Sequence, residues 1–214
     1  SAVREAANRD TFIRRVARET GIRLALVSGV EEARLVYLGV LQGLPVLKRK
    51  ILLIDLGGGS TEFLVGKNRK VLYDNSLKIG AIRMTERFFP GGVTSAKSLR
   101  EARRFIRGIL TPVRREIRRH TVDLVVATSG TFVNFANIVR CGTGDPPLDS
   151  YNAYEMDADD LVDALDRVLE AKRPADRLGI EGLDPSRSDI IAGGAVIIEQ
   201  LVKELGIPAV TISE

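Results

Sequence analysis

Apolar residues in this chain form short continuous runs in some places and recur at helical spacing in others, a pattern typical of alternating strands and helices. A first helix is predicted from about residue 10 to Gly21, and residues 24–27 are predicted to form a buried strand. Ser28-Gly29-Val30-Glu31 has the form of a capping box and predicts a helix to about Leu41. This alternation favours an α/β fold.

The segment Gln42-Gly43-Leu44-Pro45 breaks that helix, and we predict a domain boundary there. After it, strands are predicted at residues 51–56, 61–65 and 71–79. A long helix is predicted from about Ser95 to Arg119, kinked or divided by Pro112. The remaining predicted elements are a strand at 122–127, a helix after 129–131, helices at 157–172 and 188–205, and a strand at 208–212.

The strongest chemical signal is the turn Asp55-Leu56-Gly57-Gly58-Gly59-Ser60-Thr61-Glu62, which joins two predicted strands. Successive glycines permit positive φ and leave backbone N–H groups unshielded, as in a nest for phosphate oxygens. Asp55 and Glu62 can hold Mg²⁺ beside those oxygens, and Ser60 and Thr61 supply hydroxyl donors.

The alternative for the same segment is an ordinary glycine-rich β-turn, in which Asp55 and Ser60 bond the backbone locally. The two acids and two hydroxyls around the glycines favour phosphate binding. No Gly-Lys-Ser/Thr follows, so the turn is not a Walker loop.

Composition restricts the function classes. Of 214 residues, 5% are aromatic and none is Trp, which argues against single-stranded nucleic-acid binding on aromatic platforms. The net charge of +4 is compatible with an anionic partner. One cysteine, Cys141, excludes an intrachain disulfide and favours a reducing compartment, so we expect a cytoplasmic location and no membrane association. Cys141 has no nearby ligand partners and is expected to be inert.

Several sequence blocks resemble the Ppx/GppA phosphatase family, the exopolyphosphatases and guanosine pentaphosphate phosphohydrolases. This family belongs to the superfamily of acetate/sugar kinases, heat-shock ATPases and actin. The blocks occur in family order over nearly the whole chain; they are residues 1–8, residues 28–35, the glycine turn, Phe89-Pro90-Gly91-Gly92, Ser129-Gly130-Thr131 and Ala192-Gly193-Gly194.

The resemblance implies a ribonuclease H-like (actin-like ATPase) fold, a mixed sheet with flanking helices. It implies Mg²⁺-dependent hydrolysis of terminal phosphoanhydride bonds of inorganic polyphosphate, or of guanosine pentaphosphate to the tetraphosphate. Glu32 matches the catalytic base, which has to be positioned next to the attacking water. The implied phosphate-binding residues are Gly57, Gly58, Gly59, Ser60, Thr61 and Arg4, and the implied metal ligands are Asp55 and Glu62.

Local chemistry also explains two of these residues without catalysis. Glu32 can simply be an acid attracted to a helix N-terminus. Arg4 can be a surface charge, and both interpretations of Arg4 stay open. For Ser129-Gly130-Thr131 and Gly193-Gly194, which match the adenosine region of related ATPases, close packing of helix on sheet is favoured.

The family's first phosphate loop and its C-terminal Leu-Arg-Glu-Gly stretch have no match here. We therefore expect a fragment, with residues 1–45 as the C-terminal part of an incomplete domain I and residues 46–214 as domain II. Such a fragment is expected to have reduced or no turnover, and its exposed apolar surface would favour a homodimer. Alternatives are a kinase or ATPase of the superfamily and a non-catalytic polyphosphate- or nucleotide-binding module.

The long predicted helix is rich in arginine, and the default interpretation is a solvated outer face. The alternative is a basic track for polyphosphate or nucleic acid. His120, the only histidine, is expected to be a C-terminal helix residue and not a catalyst.

Overall fold

The computed structural model describes residues 2–214. A six-stranded mixed sheet forms its centre, with strand order β3-β2-β1-β4-β6-β5. The strands are β1 (Ile51–Leu56), β2 (Thr61–Lys67), β3 (Lys70–Leu77), β4 (Leu124–Thr128), β5 (Glu155–Asp157) and β6 (Ala209–Ile212). β1, β2 and β3 are antiparallel neighbours, β4 runs parallel to β1 and β6, and β5 is antiparallel to β6.

Helices cover both faces of this sheet. The helices assigned within residues 2–214 are α1 (Ala2–Glu5), α2 (Arg9–Thr20), α3 (Gly29–Gly43), α4 (Ala81–Phe88), α5 (Ala96–Ile117), α6 (Gly130–Gly142), α7 (Ala158–Glu170), α8 (Pro174–Arg177) and α9 (Ile191–Leu205). The predicted mixed sheet with flanking helices is confirmed. No helix in the described part of the chain is long and apolar enough to cross a membrane.

Two apolar clusters lie on opposite faces of the sheet. The larger contains buried residues of α4, α5, α6, α7 and α9, while the smaller contains Tyr37 and Val40 of α3. Gly66 of β2 allows this packing, because a Cβ there would lie 2.5 Å from the Tyr37 ring. Thus α3, although it precedes the predicted boundary at residues 42–45, packs directly on the sheet. The division into residues 1–45 and 46–214 stays a prediction.

The predicted strand at residues 24–27 is wrong. Leu24 and Leu26 are 39% and 41% exposed, and no described strand pairs with this segment. An apolar run becomes a strand only where a neighbouring strand offers hydrogen-bond partners. Helix α4 and strand β5 were not predicted.

Pro112 was predicted to kink or divide the long helix, and it does not divide it, since α5 is one helix from Ala96 to Ile117. Pro112 and Gly108, the residue four positions earlier, are both exposed. Water can therefore bond the Gly108 carbonyl that Pro112 cannot.

Candidate active site

The predicted glycine turn connects β1 to β2 at the edge of the sheet where β4 also ends. Asp55 and Glu62 are direct partners in the antiparallel register, so the turn places both acids side by side. The Gly57 amide closes the turn by donating to the Ser60 carbonyl at 2.9 Å. The two carboxylates therefore stand at the base of a short, hydrogen-bonded loop.

The carbonyls of the loop form hydrogen bonds within the protein, whereas three of its amides do not. The Gly57 carbonyl accepts from the Ala81 amide at 3.0 Å, and the Gly58 carbonyl accepts from the Ile82 and Arg83 amides at 3.0 and 3.1 Å. These donors are the first turn of α4. By contrast, the amides of Gly58, Gly59 and Ser60 find no acceptor within residues 2–214. Three adjacent free amides are the donors that a phosphate group needs.

Gly57, Gly58 and Gly59 do not adopt positive φ, so the backbone conformation of the loop does not itself require glycine. A Cβ on Gly58 would lie 2.9 Å from Ile82 Cδ1. Gly80, which precedes α4, approaches still closer, since its Cβ would lie 2.5 Å from the Gly58 carbonyl carbon and 2.6 Å from the Gly59 nitrogen. Gly80 therefore lets the start of α4 sit against the loop.

Arg83 adds a side-chain support to the same loop. Its Nε donates to the Gly59 carbonyl at 2.7 Å, and its guanidinium also forms an ion pair with Glu5 of α1. The Lys78 Nζ atom lies 3.7 Å from Glu5 Oε1. The arrangement connects the N-terminal helix to the glycine turn through charged side chains.

The two acids opposite each other are in unusual surroundings. Glu62 is buried, and it accepts a hydrogen bond from the Ser76 hydroxyl at 2.8 Å. Burial raises the pKa of Glu62, and the nearby Glu32 and Asp55 carboxylates raise it further, while Ser60 and Ser76 act against the rise. Burial also raises the pKa of Asp55, with the Thr128 hydroxyl opposing and Glu32 adding to the shift. The carboxylates of Asp55, Glu62 and Glu32 are therefore close enough for their charges to interact.

Glu32 lies near the other two carboxylates because the N-terminus of α3 lies against β2 and β3. Ser28 caps the helix, its hydroxyl accepting from the Glu31 amide at 3.1 Å as the capping-box pattern predicts. A Cβ on Gly29 would lie 2.4 Å from Ser76 Oγ and 3.4 Å from Glu62 Oε1. Only glycine at this position allows the first turn of α3 to approach Glu62.

Arg4 contacts Glu32 directly. Its Nη1 donates to Glu32 Oε2 at 3.0 Å and to the Val27 carbonyl at 2.8 Å, and the two side chains are 25% and 33% exposed. Arg4 therefore orients the Glu32 carboxylate in this structure, a contact that neither interpretation of Arg4 from the sequence included.

Thr61 occupies a different place from the one predicted. It is fully buried, and its hydroxyl donates to the Ile79 carbonyl at 2.6 Å. This bond fixes the end of β3 to the turn, so the Thr61 hydroxyl is committed to the fold and does not face a ligand. Ser60 is also buried and lies beside Glu62.

Open space adjoins the turn on two sides. Asp55, Thr128 and Ser129 line a cavity of about 450 Å³ whose walls include Val36 and Val133. Gly58, Gly59 and Arg83 line another of about 570 Å³ on the α4 side. The turn is thus not closed off by protein, and both Asp55 and the loop glycines face cavities.

The donor set fits Mg²⁺. Glu62 is buried and Asp55 is half-buried, and the pKa of each is raised with no opposing Lys or Arg within residues 2–214, so a cation would relieve their repulsion. The described residues contain no group of three or more His, Cys, Asp or Glu placed to bind a metal. Mg²⁺ typically takes one or two carboxylates and completes its shell with water and substrate phosphate. Buried hydroxyls of Thr128 and Ser129, which lack well-formed hydrogen bonds, border the same space.

Other predicted features lie outside the turn. Cβ atoms on Gly193 and Gly194 would clash with Ala81 of α4 and Thr131 of α6, so these glycines allow close packing of helix on helix, whereas the sequence favoured packing of helix on sheet. His120 lies three residues beyond the end of α5 and is not part of the helix. Cys141 is half-buried and lies 3.6 Å from Asn137 Oδ1.

The structure is that of an α/β protein with a mixed sheet, in which the free amides of a glycine turn lie beside paired carboxylates, an arrangement suited to phosphate. A sequence model of the Ppx/GppA phosphatase family matches residues 1–214, and the chain belongs to this family. Exopolyphosphatase 2 of Mycobacterium tuberculosis is 30% identical over 223 residues, covering 100% of this chain and 69% of that protein.

Solved structures agree on the fold. An exopolyphosphatase from Cytophaga hutchinsonii superposes with a TM-score of 0.87 at 27% identity, covering 100% of this chain and 68% of that chain. The Aquifex aeolicus member of the Ppx/GppA family gives a TM-score of 0.83 at 25% identity, covering 100% and 67%. The predicted family and ribonuclease H-like fold are both confirmed.

Proposed function

We propose that this protein hydrolyses the terminal phosphoanhydride bond of inorganic polyphosphate in a Mg²⁺-dependent reaction. The observation that carries the proposal is the turn itself: three free amides, at Gly58, Gly59 and Ser60, beside the paired carboxylates Asp55 and Glu62. The exopolyphosphatases among its relatives support polyphosphate as the substrate class.

The residues divide the chemistry among them. The free amides bind oxygens of the terminal phosphoryl group, as backbone donors do in other phosphate sites. Glu32, held by Arg4 at 3.0 Å, accepts a proton from a water molecule whose oxygen attacks the terminal phosphorus. The bond to the bridging oxygen breaks, the shortened chain keeps that electron pair, and inorganic phosphate is released. Asp55 and Glu62 would hold Mg²⁺, which neutralises charge on the phosphate oxygens.

Guanosine pentaphosphate is a second candidate substrate, favoured by one specific feature. The cavity beside Asp55 has apolar walls from Val36, Val40 and Val133, together with the polar Thr128 and Ser129. Polyphosphate has no apolar part that would use such walls, whereas the base of a nucleotide does.

The decisive experiment measures phosphate release from long-chain polyphosphate and from guanosine pentaphosphate, with and without Mg²⁺. Exopolyphosphatase 2 of M. tuberculosis serves as the positive control. Glu32→Gln is expected to remove most activity without unfolding the protein, and the neighbouring exposed Glu31→Gln is the matched control. Near-normal release by Glu32→Gln would exclude Glu32 as the base. Substrate binding without release by the unmodified chain would leave only a binding module.

A further inference from the structure

The exposed side of α5 carries a row of arginines that the proposed catalysis does not use. At 3.6 residues per turn these side chains lie on one narrow face and span about 27 Å. We call this row the arginine ridge; it consists of Arg100, Arg104, Arg107, Arg115 and Arg118, all of them exposed.

The other arginines of this helix region behave differently. Arg103 bonds Glu199 at 2.7 Å, Arg114 forms an ion pair with Glu204, and Arg119 bonds Glu116 at 2.8 Å. Within residues 2–214, no ridge arginine has an acidic partner at ion-pair distance. Like charges three or four positions apart destabilise a helix by about 0.2–0.5 kcal/mol per pair. The ridge therefore opposes folding slightly, and the fold itself supplies no compensation.

Gly108 lies in the middle of the ridge and is also unexplained by the fold. It is exposed, and a Cβ there would have no neighbour within 4 Å. Glycine inside a helix costs about 1 kcal/mol relative to alanine. Its effect on shape is to leave a low, smooth patch between the arginines, where another backbone can lie close to the helix.

Two arginines of α4 contact the glycine turn and α5. Arg83 bonds the Gly59 carbonyl, and Arg87, one helical turn further along α4, stacks 3.9 Å above the centre of the Phe105 ring. Phe105 directly precedes Ile106 and follows Arg104 in α5. Arg83 is paired with Glu5, and the exposed Glu86 lies between the two arginines in the sequence, so this stretch of α4 carries charges of both signs.

We propose that the arginine ridge binds the polyphosphate chain at a distance from the reacting end, a role that rests on the proposed function. Inorganic polyphosphate is the occupant because it presents an unbroken line of charge and has no bases to accommodate. A nucleic acid would gain its affinity partly from stacking, and Phe105, the aromatic residue of α5, is covered by Arg87.

The test compares two triple variants with the same charge change. Arg104→Gln, Arg107→Gln and Arg115→Gln remove the centre of the ridge, whereas Arg14→Gln, Arg15→Gln and Arg18→Gln remove three charges from α2. Affinity for long-chain polyphosphate is measured by calorimetry without Mg²⁺, over a series of salt concentrations. The ridge variant is expected to bind about tenfold more weakly, and its log–log salt slope should fall by roughly 2, as for three lost phosphate contacts.

Each outcome decides the proposal. If both triple variants bind polyphosphate equally weakly, the loss comes from the lower net charge of the protein and the proposal is wrong. An unchanged salt slope in the ridge variant would also contradict the proposal. Single-stranded DNA bound as tightly as polyphosphate, with the same loss in the ridge variant, would make the partner a nucleic acid instead. Hydrolysis of tripolyphosphate separates the proposed catalysis from the proposed binding by the ridge. If the unmodified chain does not hydrolyse tripolyphosphate, the catalytic proposal is contradicted, whereas the affinities of the two triple variants still test the ridge.

Discussion

The glycine turn and the N-terminal arm, residues 2–28, contribute to the same site in opposite ways. In the turn, Ser60, Thr61 and Glu62 are buried, and helix α4 fixes the loop carbonyls. In the arm, no residue of α2 is buried, and Phe12 is 44% exposed. The turn is shaped by backbone contacts, whereas the arm reaches the site through the side chains of Arg4 and Glu5.

Substitutions in the turn and in the arm should therefore have different effects on stability and activity. A change in the turn disturbs backbone geometry, and should alter stability and activity together. A change in the arm removes a side-chain contact at the protein surface, and should alter activity while the fold is retained. Variants of the turn and of the arm test this separation.

Gly80→Ala should damage both properties. Its Cβ would lie 2.5 Å from the Gly58 carbonyl oxygen, so loop and helix must separate. We expect a loss of about 1–3 kcal/mol in the free energy of unfolding. A loop displaced by about 1 Å should lower kcat about 100-fold. Urea denaturation and phosphate release measure the two effects.

The control for this variant is Gly179→Ala. That glycine is exposed, and a Cβ there would have only an ordinary contact, 3.9 Å from the Asp176 carbonyl. It should leave both stability and kcat nearly unchanged. Wild-type behaviour of Gly80→Ala would show that the loop does not depend on its contact with α4.

Asp55→Asn should separate activity from stability within the turn. Removing a half-buried charge that is repelled by neighbouring carboxylates should raise the free energy of unfolding by about 1 kcal/mol, while phosphate release falls at least about 100-fold. Mg²⁺ should raise the Tm of the wild type and not that of the variant, because only the wild type retains both acids. The exposed Asp149→Asn is the control. A Mg²⁺-dependent Tm shift of normal size in Asp55→Asn would exclude this residue as a metal ligand.

The sequence predicted the turn better than its supports, and the reason is physical. Asp55, Glu62 and the glycines lie within eight consecutive residues, so their chemistry is visible locally. The contacts of Gly80 with Gly58, and of Arg83 with Glu5, join segments far apart in the chain, and their residue types are common on helices. Gly80 preceding Ala81 offered a signal for close packing, but only the fold shows what it packs against.

The same limit explains the other misses. Thr61 has the residue type of a phosphate ligand, yet its hydroxyl bonds Ile79, whose position depends on how β3 ends. Helix α4 has only eight residues, and its signal in the sequence was missed because the segment is short, although its buried residues Ala81, Met84 and Thr85 lie on one face. Residues 24–27 have strand-like composition, but strand formation needs a neighbour that composition cannot reveal.

Arg4→Ala tests the arm and should have a smaller effect. Without the bond to Glu32 the carboxylate loses its fixed orientation, and we expect kcat to fall about tenfold. If Arg4 acts by orienting Glu32, KM should change little; if it also binds phosphate, KM should rise. Stability should match that of Arg9→Ala, a variant of another partly exposed arginine in the arm. Strong destabilisation by Arg4→Ala alone would contradict the separation between arm and turn.

The smallest expected effect is the dependence of stability on pH. Asp55 and Glu62 have raised pKa values in the folded protein, mainly through burial, so the folded state holds these protons more tightly than the unfolded state. Their ionisation therefore destabilises the fold. The penalty is complete above the folded pKa values and disappears as pH falls towards the unfolded values.

Glu62→Gln makes this measurable, because glutamine retains an oxygen for the Ser76 hydroxyl while removing the charge. The stability advantage of Glu62→Gln over the wild type should be greatest at neutral pH and should shrink as the pH is lowered through the raised pKa. The exposed Glu31→Gln should show no such trend. Urea denaturation at several pH values provides the comparison. An advantage that stays constant with pH would mean that the charge of Glu62 is already compensated within the protein. In that case Asp55 and Glu62 would not need a bound cation to neutralise them.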